Sequence, residues 1–200
     1  EGEASQDYLG LGVGAGDLDG DGDPELFLGA PDHDGNGTNS GAWYVIDQPF
    51  QQGTAEELAD WIIRGSNPSD EVGYGQALAV DLDASGDLDL ALGSFGGDGA
   101  YVFLDPGSET GEGVATGADV VMLGEENSAF GASLASGDFN GDGDVDLAVG
   151  AMAPASTATP MYWYYYPGNT SKVYFFDGSA FGRGDLDTAV KDERYEDAAR

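Results

Sequence analysis

Short stretches of apolar residues, four to six long and bounded by Gly, Asp or Pro, recur along the chain with a period of two or with no polar interruption. AWYVID (Ala42 to Asp47), AYVFLD (Ala100 to Asp105) and KVYFFD (Lys172 to Asp177) are rich in aromatic and β-branched side chains. Such runs read as strands, because those side chains pack well on a pleated surface and the flanking residues favour turns. Helical spacing of apolar positions is not sustained anywhere, so the pattern predicts many short strands and almost no helix.

The strands fall into repeated units. DLDGDGDPELFLGAP from Asp17, DLDASGDLDLALGS from Asp81 and DFNGDGDVDLAVGA from Asp138 align with spacings of 64 and 57 residues. Upstream lie LGLGVGAG (Leu9 to Gly16), YGQALAV (Tyr74 to Val80) and FGASLASG (Phe130 to Gly137), and downstream come the three aromatic runs. A further apolar segment follows each: ADWIIRG (Ala59 to Gly65), ADVVMLG (Ala118 to Gly124) and the weaker DTAVKD (Asp187 to Asp192). Each unit is expected to be a four-stranded meander, too small to hold a core by itself, and tandem units of this size are the signature of propeller blades.

At Phe130-Gly131, the Asp138 to Asp146 loop, Val149-Gly150-Ala151 and Gly29-Ala30-Pro31, the chain resembles the FG-GAP repeats of the integrin α-subunit propeller and of related bacterial surface and secreted proteins. Leu9-Gly10 and Tyr74-Gly75 are read as the counterparts of Phe-Gly in the first two units, and the second unit lacks one glycine before Asp81. The repeats are placed at 8–72, 73–129 and 130–200, the last truncated at its end, with 1–7 as the tail of a preceding repeat. The resemblance implies an all-β fold of about three four-stranded antiparallel blades. Since family propellers close with seven blades, it also implies an open arc with edge strands at both ends and further blades in a longer parent chain.

The chemistry lies in the acidic loops. Calcium takes about 6 to 8 oxygen ligands, best supplied from alternate positions of a loop with glycine at its sharp turn. The first loop offers Asp17, Asp19 and Asp21 at positions 1, 3 and 5, Gly22 at 6, the Asp23 carbonyl at 7 and Glu25 at 9. The second offers Asp81, Asp83, Ser85, Gly86, the Asp87 carbonyl and Asp89, and the third Asp138, Asn140, Asp142, Gly143, the Asp144 carbonyl and Asp146. An EF-hand would need a bidentate Glu at position 12, where this chain has Leu28, Leu92 and Val149. The expectation is three Ca2+ sites on β-hairpin loops, the second the weakest because Ser85 is short.

Charge narrows the partners. The 200 residues hold 38 Asp and Glu against 6 Lys and Arg, a formal net charge of -32, which would repel a phosphate backbone and excludes nucleic acid. Three divalent ions would offset only a small part of that excess. No cysteine and a single histidine, His33, leave neither a thiolate nor an imidazole-rich metal site. No apolar run approaches the roughly 20 residues that cross a bilayer, so membrane insertion is not expected.

Several segments fall outside this scheme. Asp32 to Ser40 repeats the oxygen spacing between the second and third strands and is read as a loop, with His33 solvated. The insert from Met152 to Thr170 contains the aromatic run Met161 to Tyr166, which suits a strand extension and a partner anchor equally. Arg183-Gly184-Asp185 spells the tripeptide that integrins recognise on their ligands; an adhesive role stands beside the reading that Gly- and Asp-rich loops generate it by accident, and the second is favoured. No catalytic residues are assigned: the close acidic pairs belong to metal loops, and no Cys nucleophile or His base accompanies them. The resemblance thus implies a non-enzymatic, calcium-binding platform for a protein or glycan ligand, outside the cell or at its surface. An accessory region of a larger secreted hydrolase and a structural spacer are the alternatives.

Overall fold

A computed structural model describes residues 6–47, 51–152 and 171–181, together with the backbone of 195–196. Among the described residues it is all-β, with one four-residue α-helix and two single 3-10 turns. The first sheet comprises β1 (Val13–Gly16), β2 (Glu25–Ala30), β3 (Ala42–Ile46) and β4 (Trp61–Arg64); the second comprises β5 (Val72–Val80), β6 (Asp89–Ser94), β7 (Gly99–Phe103) and, beyond β8 (Gly111–Val114), β9 (Val120–Leu123). The third is built from β10 (Phe130–Gly137), β11 (Asp146–Ala151), β12 (Lys172–Phe176) and β13 (Tyr195–Glu196). Within each repeat the strands pair antiparallel in meander order, as the sequence pattern predicts, although in the third the described partner of β12 is Tyr195–Glu196, beyond the Asp187 to Asp192 segment expected there.

β8 departs from that pattern. It lies in the connection between β7 and β9 of the second repeat, yet it pairs in parallel with β4 of the first, from Trp61 opposite Gly111 to Arg64 opposite Val114. The first sheet therefore has five strands, and β4 is not at its edge.

The sheets stack through alternate residues. Leu90 and Leu92 face the first sheet, where they join Phe27, Trp43, Val45, Trp61 and Ile63, while Ala91, on the opposite face, joins Leu147, Val149, Tyr174 and Phe176 of the third. A strand covered on both faces loses the polar alternation of a solvated sheet, which is why β3, β6 and β7 are buried throughout. The free face of the first sheet is also covered. The helix α1 (Ala55–Leu58), closed by a Thr54/Glu57 capping box, lays Ala55 and Leu58 over Tyr44, Ile46 and Ile62.

Close approach of backbones explains two glycines. A Cβ on Gly29 would collide with the carbonyl oxygen of Gly73, and one on Gly93 with that of Gly131. Each contact joins the glycine of a second strand to the Phe-Gly position of the following repeat. This corrects the alignment: Val72-Gly73, and not Tyr74-Gly75, occupies the Phe-Gly place of the second repeat. Val72 pairs with Ser94 as Phe130 pairs with Ala151, and a register shift after each absorbs the change in length.

Candidate metal centre

Each acidic loop bridges the first and second strands of its sheet, and all three make the same turn through the same hydrogen bonds. The position 1 carboxylate accepts from the position 6 N–H: Gly22 to Asp17 at 3.0 Å, Gly86 to Asp81 at 3.1 Å, Gly143 to Asp138 at 3.0 Å. The position 3 oxygen accepts from the position 5 N–H, at 3.1, 3.0 and 2.9 Å on Asp19, Asp83 and Asn140. Position 5 accepts from the position 7 N–H, at 2.8, 3.2 and 2.9 Å on Asp21, Ser85 and Asp142. The position 6 glycines have φ near +100° (99°, 101° and 101°), which a side chain would oppose.

Position 9 is buried in all three repeats and closes the loop. Glu25, Asp89 and Asp146 accept from the N–H of position 2, at Leu18 (2.6 Å), Leu82 (2.7 Å) and Phe139 (2.9 Å). In the second and third repeats the other oxygen accepts from the backbone past the third strand, from Asp105 N and Gly178 N, both at 2.9 Å. Burial pushes the Asp89 carboxyl up to about 6, against the opposing pull of the Asp105 and Leu82 N–H groups. Burial, with Asp19, Asp17 and Asp47 adding repulsion, also raises Glu25.

The loops differ in what their remaining oxygens do. Asp17, Asp19, Asp21 and Glu25 each place a carboxylate oxygen within 4.8 Å of the others, and Asp81, Asp83 and Asp89 do the same. Among the described residues the third loop forms no such group. Asp17 Oδ1, Glu25 Oε1 and Asp81 Oδ1 are buried with no hydrogen-bond partner. In the third loop the equivalent Asp138 Oδ1 already accepts from Gly141 N at 2.6 Å and Asp142 N at 3.1 Å. Support from below differs too. Leu18 and Leu82 at position 2 are plugs 4% and 1% exposed between successive sheets, whereas Phe139 is 49% exposed and stacks edge-on with Phe175.

Two residues beside these loops were not assigned from the sequence, Asp177, which accepts from Asn140 Nδ2 at 3.3 Å, and Asp105. Asp105 accepts from the Ser85 hydroxyl at 2.7 Å, bringing a carboxylate to the position where the second loop has only a short side chain. The closing Asp of AYVFLD is the signal that points to it. Strand pairing offsets it from the other two runs: Gly29 faces Trp43, Gly93 faces Ala100 and Gly150 faces Val173, so Asp47 and Asp177 correspond to Leu104.

The Asp32 to Ser40 segment is organised around a cation of the protein's own. His33 is buried, not solvated: Nδ1 accepts from Gly35 N at 3.0 Å, the ring meets Tyr44 edge-on, and Arg64 Nη1 lies 3.3 and 3.4 Å from its two nitrogens. Arg64 in turn pairs with Glu56 at 3.1 Å and Glu112 at 3.5 Å. A guanidinium at this place disfavours a second cation. The Met161 to Tyr166 run, Arg183-Gly184-Asp185 and the Asp187 to Asp192 segment lie outside the described residues.

Tandem four-stranded β-repeats, each with an acidic hairpin loop after its first strand, and with glycine contacts joining the first to the second and the second to the third, define a repeat module. The FG-GAP repeat family matches residues 9–46 and 130–176, and the chain is an FG-GAP repeat protein. The FG-GAP repeat is a non-catalytic module. The second repeat lies between the two matched segments, and its loop keeps the same hydrogen bonds. A search of curated proteins finds no match to the chain. No helix among the described residues is long and apolar enough to cross a membrane.

Proposed function

We propose that the chain is a calcium-stabilised segment of a β-propeller, three blades in an open arc, whose surface serves as an extracellular platform for a protein or glycan partner. The observation that carries the calcium reading is the set of buried, unpartnered oxygens, Asp17 Oδ1, Glu25 Oε1 and Asp81 Oδ1. A buried polar atom without a partner is costly, and these three belong to oxygen-only clusters whose converging negative charge is unfavourable without a cation. Oxygen donors on a flexible loop suit a hard cation of variable coordination, which favours calcium over magnesium. Asp17, Asp19, Asp21, Glu25 and the Asp23 carbonyl would hold the first ion; Asp81, Asp83, Asp89 and the Asp87 carbonyl the second, with Ser85 and Asp105 beside it. Asp138, Asn140, Asp142, Asp146 and the Asp144 carbonyl would hold the third. This site is the weakest of the three, because calcium must displace amides already bound to Asp138. That ranking reverses the order expected from side-chain length.

Thermal melting in calcium, magnesium and chelator tests the reading. Calcium is expected to raise the melting temperature most, magnesium less, and the gain should shrink in Asp17→Asn and Asp81→Asn. Identical melting curves in all three conditions would refute it. A glycan array and a pull-down with the calcium-loaded chain test the platform role. Selective capture supports it, and its absence in both leaves the chain a structural spacer.

A further inference from the structure

Between the first two loops runs a single short turn. Asp105 stands at one end, its N–H on Asp89 Oδ1 at 2.9 Å and its carboxylate on the Ser85 hydroxyl at 2.7 Å, both in the second loop. Three residues on, Ser108 donates its hydroxyl to Asp19 Oδ2 of the first loop at 3.2 Å. A closed turn joins them. Asp105 and Gly107 hold φ at 44° and 53°, Pro106 fixes its own φ, and Glu109 N closes the turn on Pro106 O at 3.2 Å. The chain then continues into β8, where Gly111 N bonds Asp60 O at 2.7 Å and Glu112 reaches Arg64, so the same segment fastens the second repeat to the first.

We propose that this turn makes the first two cation sites one cooperative unit, with Asp105 and Ser108 as positioning residues for the second and first loops. The inference rests on the calcium reading above. Asp105, bonded to Asp89 and Ser85, would be fixed when the second loop holds its ion, and the turn would then present Ser108 to Asp19. A cation in the first loop orders the turn from the other end. Whichever loop fills first has ordered the turn for the other, so each site raises the affinity of its neighbour by the same factor. The third loop has no part in this unit. Calcium thereby controls how firmly β8 holds the two repeats together.

The test is calorimetric titration of calcium in full chains carrying Asp138→Asn, which silences the third loop. With both remaining loops intact, the second step should be at least about fivefold tighter than the single step left in Asp17→Asn or Asp81→Asn. Pro106→Gly combined with Ser108→Ala should bring it down to those single-loop values. Amide exchange on the unaltered chain avoids any variant that folds poorly: residues 105–114 should gain protection together with both loops over one range of calcium concentration. Independent steps, or loops that fill while the amides of 105–114 do not respond, would overturn the coupling and leave calcium binding intact. Absence of heat and of protection in every chain would overturn both.

Discussion

The loops Asp81–Asp89 and Asp138–Asp146 share a backbone turn and the same four kinds of internal hydrogen bond, yet their position 1 carboxylates end in opposite situations. Asp81 is partly buried with Oδ1 unpartnered, and Asp138 is exposed with both oxygens bonded to its own loop. The packing below the loop differs as well. Leu82 is wedged between the second and third sheets, while Phe139, half-exposed, meets Phe175 edge-on. Nine residues of motif therefore specify the turn, while packing beneath position 2 differs between the two loops together with the state of the position 1 carboxylate.

The strongest way to break this comparison is to remove the plug. Leu82→Ala should cost about 2–5 kcal/mol, as for a large apolar side chain deleted from a packed interior, and should weaken calcium binding at the second loop. Phe139→Ala, at a half-exposed site, should cost only about 1 kcal/mol. Urea denaturation of the two variants checks this; equal losses would mean that the plug does not distinguish the loops.

Calcium removal comes next. Binding to the folded state alone stabilises by about 2.7 kcal/mol per site at a hundredfold excess over Kd. Asp81→Asn should forfeit that gain for one site, and Asp138→Asn should forfeit much less at the same free calcium. Denaturation at fixed calcium would show the difference, and the reverse order would return the ranking to the one based on side-chain length.

Acidity sharpens the contrast without mutation. Asp89, pushed up to about 6 from an ordinary 3.8, holds its proton in the folded chain over a range where the unfolded chain has released it. Ion-free stability should therefore fall as pH rises from about 4 to about 6, and Glu25, Glu71 and Asp98, all raised by burial, act in the same direction. Calcium stabilises the ionised forms of the loop acids, so the gap between melting temperatures with and without it should widen over the same interval. Melts across that range in chelator and in calcium, beside Asp89→Asn, would show it; a flat ion-free profile would contradict it.

The smallest effect concerns position 4. Gly20 and Gly141 hold φ at 74° and 84°, while the second loop places Ala84 at 59°, a left-handed conformation that a side chain resists. Ala84→Gly should stabilise the apo chain by up to about 1 kcal/mol. A loss of stability, read from urea midpoints, would show that the strain is absent.

Much of the fold was legible because its signals are local. Alternating apolar residues mark the strands, Asp-Gly spacing marks the turns, and both repeat. What escaped depends on pairing across distance. β8 consists of Gly111, Glu112, Gly113 and Val114, of which only Val114 favours a strand, and becomes one beside the edge that β4 offers. Tyr74-Gly75 looks closer to the motif than Val72-Gly73, and only the contact with Gly29 and the pairing of Val72 with Ser94 separate them. His33 was read as solvated because nothing near it in sequence announces Arg64, 31 residues away. At the loops, ligand positions were legible, but the burial of Asp17 Oδ1 and Asp81 Oδ1, and of Leu18 and Leu82 between sheets, was not.

Calcium titration of the unaltered chain by calorimetry, followed by Asp17→Asn, Asp81→Asn and Asp138→Asn, tests the central claim most directly. Two tight sites and a third weaker one are expected, with Asp17→Asn and Asp81→Asn each removing a tight site and Asp138→Asn only the weak one. A titration without heat, or loss of the tightest site on Asp138→Asn, would contradict the account.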